Sequence, residues 1–321
     1  MERTLLIINP ISGTGAKQGV AERIKSRLAE SGFDVEVKFT TGPGNATELA
    51  REAVDNKFHT VVAIGGDGTV NETAAGLSKT DVALGIIPAG SGNGLARHLN
   101  IPMDIDRAAD IIAQRNIVDC DYGEVNHRPF FCTFGVGFDA AVSHRFAKQN
   151  RRGKMMYIKS AIDEYLNYNP QEYTISANGK VLTEKAFLIA VCNASQYGNN
   201  AYIAPQASLT DGLLDFTIVH AGTPADAAAF GIDLMTGYIN KNVMIHTFRA
   251  PAAVITRNSD GPAHIDGEPL IMDKAMYIQC NHGGIKLYAS PKNSDFKPIV
   301  TPIKSLFNDF VADINKLFKP I

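Results

Sequence analysis

The sequence has little cysteine and no excess of either charge. Its four cysteines, Cys120, Cys132, Cys192 and Cys280, lie far apart with no C-x-x-C pair, so they read as reduced core residues of a cytosolic protein and not as a disulfide framework. With 31 basic and 33 acidic residues the formal net charge is −2. No broad basic surface is implied, and nucleic acid is not expected as the main partner. No window approaches the run of about 18 apolar residues that a membrane-spanning helix needs. The opening segment Met1–Pro10 has too short an apolar part for a signal peptide and breaks at proline. Internal repeats and low-complexity tracts are also missing. The expectation is a soluble, cytoplasmic chain able to touch the inner membrane face as a peripheral protein.

At 321 residues, with 45% hydrophobic and 20% charged side chains, the chain is long enough for two domains with separate cores. Up to Gln114, short apolar runs alternate with helical patterns. Strands are expected at Thr4–Ile8, Val35–Phe39, Thr60–Ile64 and Ala83–Ile87. Helices are expected at Ala16–Ser31, Ala46–Asn56, Asn71–Leu77, Gly94–Leu99 and Arg107–Gln114. Near Ile117 the pattern becomes strand-rich, the last expected strand being Ala275–Gln279, with helices only at Lys154–Tyr168 and Pro224–Ile239. The predicted fold is an α/β N-terminal domain with a mainly parallel sheet, residues 1–122, followed by a β-rich C-terminal sandwich domain, residues 123–295. The tail, 296–321, is an amphipathic helix that packs on the first domain or on a dimer partner, with the membrane interface as the other docking surface.

Two segments carry the chemistry. Ala63-Ile64-Gly65-Gly66-Asp67-Gly68-Thr69 and Ile87-Pro88-Ala89-Gly90-Ser91-Gly92-Asn93 each run from an apolar strand into a glycine cluster and then toward a helix. Glycine lets a ligand approach main-chain N–H groups, and a strand-to-helix turn is where phosphate binds. Two such turns about 25 residues apart point to a nucleoside triphosphate site. No Walker A loop is present, the Gly13–Gly19 segment fails the dinucleotide spacing, and the H-R-D and D-F-G elements of protein kinases are missing.

The ordered set of motifs resembles the diacylglycerol kinase and sphingosine kinase superfamily of lipid kinases, along almost the whole chain. It comprises Asn9-Pro10 with Ser12-Gly13, Thr40 ahead of Gly44-Asn45-Ala46, Gly65-Gly66-Asp67-Gly68-Thr69-Val70-Asn71-Glu72, and Gly90-Ser91-Gly92-Asn93. In the second domain it continues through Gly137-Phe138-Asp139, Asn193, Tyr197-Gly198, Pro205, Asp211–Asp215 and Ile265-Asp266-Gly267-Glu268-Pro269.

The resemblance implies an ATP- and Mg2+-dependent kinase of a diacylglycerol-like or sphingoid-base lipid, with an NAD kinase/diacylglycerol kinase-like fold. In such a site the N–H groups of Ser12–Gly13, Gly66–Gly68 and Gly90–Gly92 would cradle phosphates, and Thr40, Thr69, Ser91 and Asn93 would add hydrogen bonds. Asn71 would orient the ribose or the loop, and Glu72 would hold Asn71. Asp67 would carry the catalytic Mg2+; its alternative is a turn residue accepting backbone N–H bonds. Glu268 would be the base for the lipid hydroxyl, with Asp266 and His264 on the same face of an extended segment. Ser208, Asp211 and the carbonyl of Leu213 match the slots of a structural Mg2+, against a plain Asp-Gly hairpin. Gly94 stands where many bacterial diacylglycerol kinases carry aspartate, which leans toward the sphingosine kinase version. The basic run Arg145, Lys148, Arg151, Arg152 and Lys154 suits either an anionic membrane or a solvated face. The competing functions are a kinase of a soluble substrate, such as an NAD kinase, and a lipid-binding regulator without catalysis.

Overall fold

A computed structural model describes residues 1–11, 17–147, 168–239 and 242–291. Ser12 and Gly13, the Lys154–Tyr168 helix except its last residue, the basic residues beyond Arg145 and the whole expected tail helix lie outside the described residues.

Strands β1 (Glu2–Ile8), β2 (Phe33–Phe39), β3 (Thr60–Gly65) and β4 (Ala83–Pro88) form a parallel sheet in the order β4-β3-β1-β2. Every residue of β3 and β4 is buried, as their uninterrupted apolar runs require of strands covered on both faces. Helices α1 (Lys17–Glu30), α2 (Asn45–Asp55), α3 (Asp67–Leu77), α4 (Gly94–His98) and α5 (Ile105–Ala113) complete the layers, with α1 against α5 and α2 against α3.

The second domain is a β-sandwich built from β5 (Ile117–Val125), β6 (Arg128–Phe130), β7 (Thr133–Gly137), β8 (Gln171–Ala177), β9 (Lys180–Cys192), β10 (Leu214–His220), β11 (Ile245–Ala250), β12 (Ala252–Arg257), β13 (Gly261–Ile265), β14 (Glu268–Met272) and β15 (Ala275–Tyr288). Helix α6 (Phe138–Ala147) follows β7, and α7 (Pro224–Thr236) follows β10. The expected last strand, Ala275–Gln279, is only the first half of β15. Beyond a bulge between Asn281 and Ile285, β15 continues and pairs in parallel with β4 through Lys286↔Ala83 and Leu287↔Leu84. One sheet path therefore passes through both domains. Strand β5 also spans the boundary: Cys120 and Tyr122 belong to the first core and Val125 to the second. This joint fixes how the two halves face each other across the cleft.

Candidate active site

The carboxyl ends of β1, β3 and β4 lie side by side, with Ile8 opposite Ile64 and Gly65 opposite Pro88. Sheets of this kind present ligands at that edge. Helix α3 begins at Asp67, four residues before the expected start at Asn71, directly after an extended Gly66. The first turn of a helix leaves its N–H groups without intrahelical partners, so Asp67-Gly68-Thr69 is itself the donor-rich helix start, and Val70 N closes the turn on Gly66 O at 3.1 Å. Asn9 braces this turn from β1: its Nδ2 donates to Thr69 Oγ1 at 3.2 Å, and its Oδ1 accepts from Ile11 N at 3.0 Å. Pro10 is exposed beside it, and Thr40 follows β2 with its N–H on Ile8 O at 2.9 Å.

The second turn is closed by Asn93, in the left-handed region at φ 54. Its Oδ1 accepts from Gly90 N at 3.1 Å, its Nδ2 donates to Gly90 O at 2.9 Å, and Ser91 is left exposed at the tip. The two turns touch backbone to backbone, for a Cβ on Gly90 would lie 2.5 Å from Gly66 Cα. Asp67 links them. Its Oδ2 accepts from Asn93 N at 2.8 Å and its Oδ1 from Gly94 N at 2.7 Å. This is the geometry of the turn-residue alternative, with one main-chain donor on each carboxylate oxygen; each oxygen keeps a second lone pair.

Glu72 does not touch Asn71. It accepts from Gly44 N at 2.8 Å and Ala46 N at 3.2 Å, anchoring the start of α2. The Asn71 amide instead crosses to the second domain and donates to Asp266 Oδ2 at 2.5 Å. Asp266 and Gly267 form a two-residue hairpin turn between Ile265 and Glu268, both at positive φ (48 and 86), as a type I′ turn requires. That turn removes Asp266 from the face of Glu268. Its carboxylate points inward, accepting from Phe131 N, Cys132 N and Thr133 N at 2.8 Å each. Burial pushes the Asp266 carboxyl up, and these main-chain donors with Asn71 oppose the shift. Glu268 stays exposed, and its Oε1 lies 3.6 Å from the Cβ position of Gly68. The second domain thus presents a carboxylate to the first turn of α3. His264 turns away from Asp266 and pairs with Asp139.

The Asn193–Tyr202 segment grips the second turn. Asn199 N donates to Gly92 O at 3.2 Å, and Arg97 Nε donates to the same oxygen at 3.0 Å. A Cβ on Gly94 would meet Gln196 O at 3.3 Å and Cys132 Sγ at 3.4 Å, so a side chain here would have to push these neighbours back by a few tenths of an ångström. From α4, His98 accepts the Ser195 N–H on Nδ1 at 3.0 Å. Burial lowers the His98 pKa to about 4. In the unfolded chain the ring takes up its proton near pH 6.5; in the fold it does so only near 4. His98 therefore adds stability that is complete above pH 6.5 and is lost as pH falls toward 4, on the order of 3 kcal/mol at 1.36 kcal/mol per unit. Urea midpoints measured at neutral and acid pH should fall less in His98→Asn than in the wild type; equal acid sensitivity would remove His98 as the cause.

Ser208, Asp211 and Leu213 lie on one loop, where the Asp211 carboxylate is engaged by protein groups. Asp211 Oδ2 lies 3.2 Å from Arg249 Nη1, and its Oδ1 accepts from Leu213 N at 3.1 Å. Arg249 also pairs with Asp215 at 2.9 Å. The same turn is clipped to β5 by Asp121, which sequence reading missed: its Oδ2 accepts from Gly212 N at 2.6 Å, and its Oδ1 meets His282 Nδ1 at 2.7 Å. An acid flanked by apolar residues in a strand was the available signal. Among the described residues, no three His, Cys, Asp or Glu side chains converge on a metal position.

A cavity of about 180 Å³ opens between α7 and strands β9 and β10, with Tyr168, Phe187, Val219, Phe230, Met244 and Ile245 in its lining. Phe138 stacks on Phe187 with centroids 4.3 Å apart, extending this apolar zone toward Asp139. Among the described residues no helix is long and apolar enough to cross a membrane.

Comparison with known proteins agrees with this fold. Residues 3–125 match the diacylglycerol kinase catalytic domain, and residues 132–287 match the YegS C-terminal NAD kinase beta sandwich-like domain. The chain is 29% identical to a diacylglycerol kinase of Bacillus subtilis over 274 residues, covering 84% of this chain and 90% of that one. It is 28% identical to a Yersinia enterocolitica protein named "Probable lipid kinase YegS-like", covering 84% of this chain and 91% of that one. The crystal structure of a diacylglycerol kinase from Bacillus anthracis shares the fold, with a TM-score of 0.71, 24% identity, and coverage of 90% of this chain and 97% of that one. The chain belongs to the diacylglycerol kinase superfamily of lipid kinases.

Proposed function

We propose that this lipid kinase transfers the γ-phosphoryl group of ATP to a hydroxyl of a diacylglycerol-like or sphingoid-base lipid. The observation that carries the reading is the approach of Glu268 Oε1 to Gly68, which faces a carboxylate from one domain onto the donor-rich helix start of the other. Phosphoryl transfer asks chiefly for positioning and charge stabilisation. The N–H groups of Gly66–Gly68, Ser91 and Gly92 would hold the phosphates, with Thr40, Thr69 and the Ser91 hydroxyl at the same sheet edge; the Gly90 N–H is taken by Asn93. Mg2+ arriving with the nucleotide would neutralise phosphate charge; Asp67 acts by shaping the second turn. Glu268 would accept the proton of the attacking hydroxyl.

The cavity of the second domain supports a lipid over a soluble nucleotide as acceptor, because aromatic and aliphatic side chains outnumber His220, Asp226 and Asn242 in its lining. Val243 is 96% exposed between the cavity-lining residues Asn242 and Met244, so an apolar side chain stands where the cavity would meet a bilayer. ADP release measured with ATP and Mg2+ against a panel of diacylglycerol, sphingosine and NAD tests the reading. Lipid-dependent turnover is expected. Turnover with NAD alone, or none with any acceptor, would overturn it.

A further inference from the structure

One buried polar network in the second domain has no part in the mechanism above. Asp139, at the start of α6, and His264, on β13, are 7% and 2% exposed, and His264 Nε2 lies 3.1 Å from Asp139 Oδ2. Tyr197 donates its hydroxyl to the same Oδ2 at 2.9 Å, and Ala140 N donates to Oδ1 at 2.8 Å. On its other edge, His264 Nδ1 faces Gly267 N at 3.4 Å. An amide can only donate, so Nδ1 is the acceptor and the ring proton sits on Nε2, directed at Asp139. The network reserves its space at Gly135, where a Cβ would overlap both His264 Nε2 and Asp139 Oδ2.

Gly267 immediately precedes Glu268, and both are exposed at the tip of a sheet-edge hairpin. Asp266 ties that tip to the interdomain side. The peptide that follows leaves the Asp266-Gly267 turn with its N–H directed at the His264 ring. We propose that His264, its tautomer fixed by Asp139 and Tyr197, is a positioning residue for Glu268: by accepting the Gly267 N–H it sets the direction in which the hairpin presents the carboxylate to α3. This inference rests on the lipid kinase reading with Glu268 at the reacting hydroxyl. A group held through another in this way acts on alignment, where displacements near 1 Å are costly in rate.

Two substitutions divide the roles of the ring. His264→Asn keeps an acceptor at the position of Nδ1, whereas His264→Gln keeps a donor at the position of Nε2 and loses that acceptor. In the full chain, assayed with diacylglycerol micelles, ATP and Mg2+, kcat should fall about 10-fold or more in His264→Gln and about 3-fold or less in His264→Asn, with KM for ATP unchanged in both. Tyr197→Phe, which preserves volume, should lower kcat several-fold by loosening Asp139. Hydrogen exchange supplies a readout independent of turnover: the Gly267 amide should exchange faster in His264→Gln than in His264→Asn. An active wild type whose two His264 variants lose kcat equally, or whose Gly267 exchange is the same in both, overturns the positioning role alone. A wild type without lipid-dependent turnover, with Gly267 exchange as expected, overturns the kinase reading and with it the catalytic meaning of the contact.

Discussion

Glu268→Gln is expected to lower lipid-dependent turnover by about 10²- to 10⁴-fold, the usual contribution of a positioned general base. Nucleotide affinity should change little, because the proposed phosphate donors lie on the opposite wall, in the first turn of α3 and at Ser91 and Gly92. Glutamine preserves the size of the side chain and its reach toward Gly68, so the substitution removes basicity without opening the cleft. Glu268 is exposed and makes no interaction that burial would render costly to lose, so the melting temperature should move by no more than about 2 °C. Single-turnover rates together with titration of a fluorescent ATP analogue separate the two effects. Near-normal turnover in the variant would take Glu268 out of the reaction.

Asp266→Ala should be more damaging to the protein itself. Its carboxylate receives three successive main-chain N–H groups, from Phe131, Cys132 and Thr133, together with the Asn71 amide. Truncation leaves these donors without their acceptor in an enclosed site, at about 1–3 kcal/mol for each that water cannot reach. Even two such losses are a large share of a typical stability of about 5–15 kcal/mol. The same substitution cuts the Asn71 tie between the domains, so turnover should fall with stability. Asp266→Asn repairs only half of the defect: its oxygen can keep the Cys132 and Thr133 N–H groups, while its amide nitrogen would face the Phe131 N–H. Urea unfolding followed by circular dichroism checks the first claim, and a midpoint unchanged in Asp266→Ala would show that the donors find other partners. The contrast with Glu268 is diagnostic: one variant should be folded and inactive, the other unstable.

How much of this was legible in sequence varies from element to element. Strands β3 and β4 were plain, because strands buried on both faces leave uninterrupted apolar runs. The early start of α3 was not. Asp67, Gly68 and Thr69 read as loop composition, yet at a helix N-terminus poor helix formers cost little, since the first N–H groups have no intrahelical partners to lose. The second half of β15 was hidden by Asn281-His282-Gly283-Gly284, which reads as a turn and folds as a bulge within one continuous strand. Asp266 was assigned to the face of Glu268 by period-two counting, which fails once two residues at positive φ reverse the chain.

By itself the sequence determined the family and the residue set: two glycine turns at strand ends, the acids among them, and a distant Asp-Gly-Glu. Those are patterns of local backbone chemistry and need no neighbours to be read. Only the tertiary structure decided what each polar group does. Asp67 shapes a turn, Glu72 anchors α2, Asn71 reaches a residue 195 positions away, and Asp121 clips the turn where the structural ion was expected. Hydrogen bonds are satisfied by whatever group the fold brings within about 3 Å, and β5 and β15, passing between the two cores, are what bring these groups together.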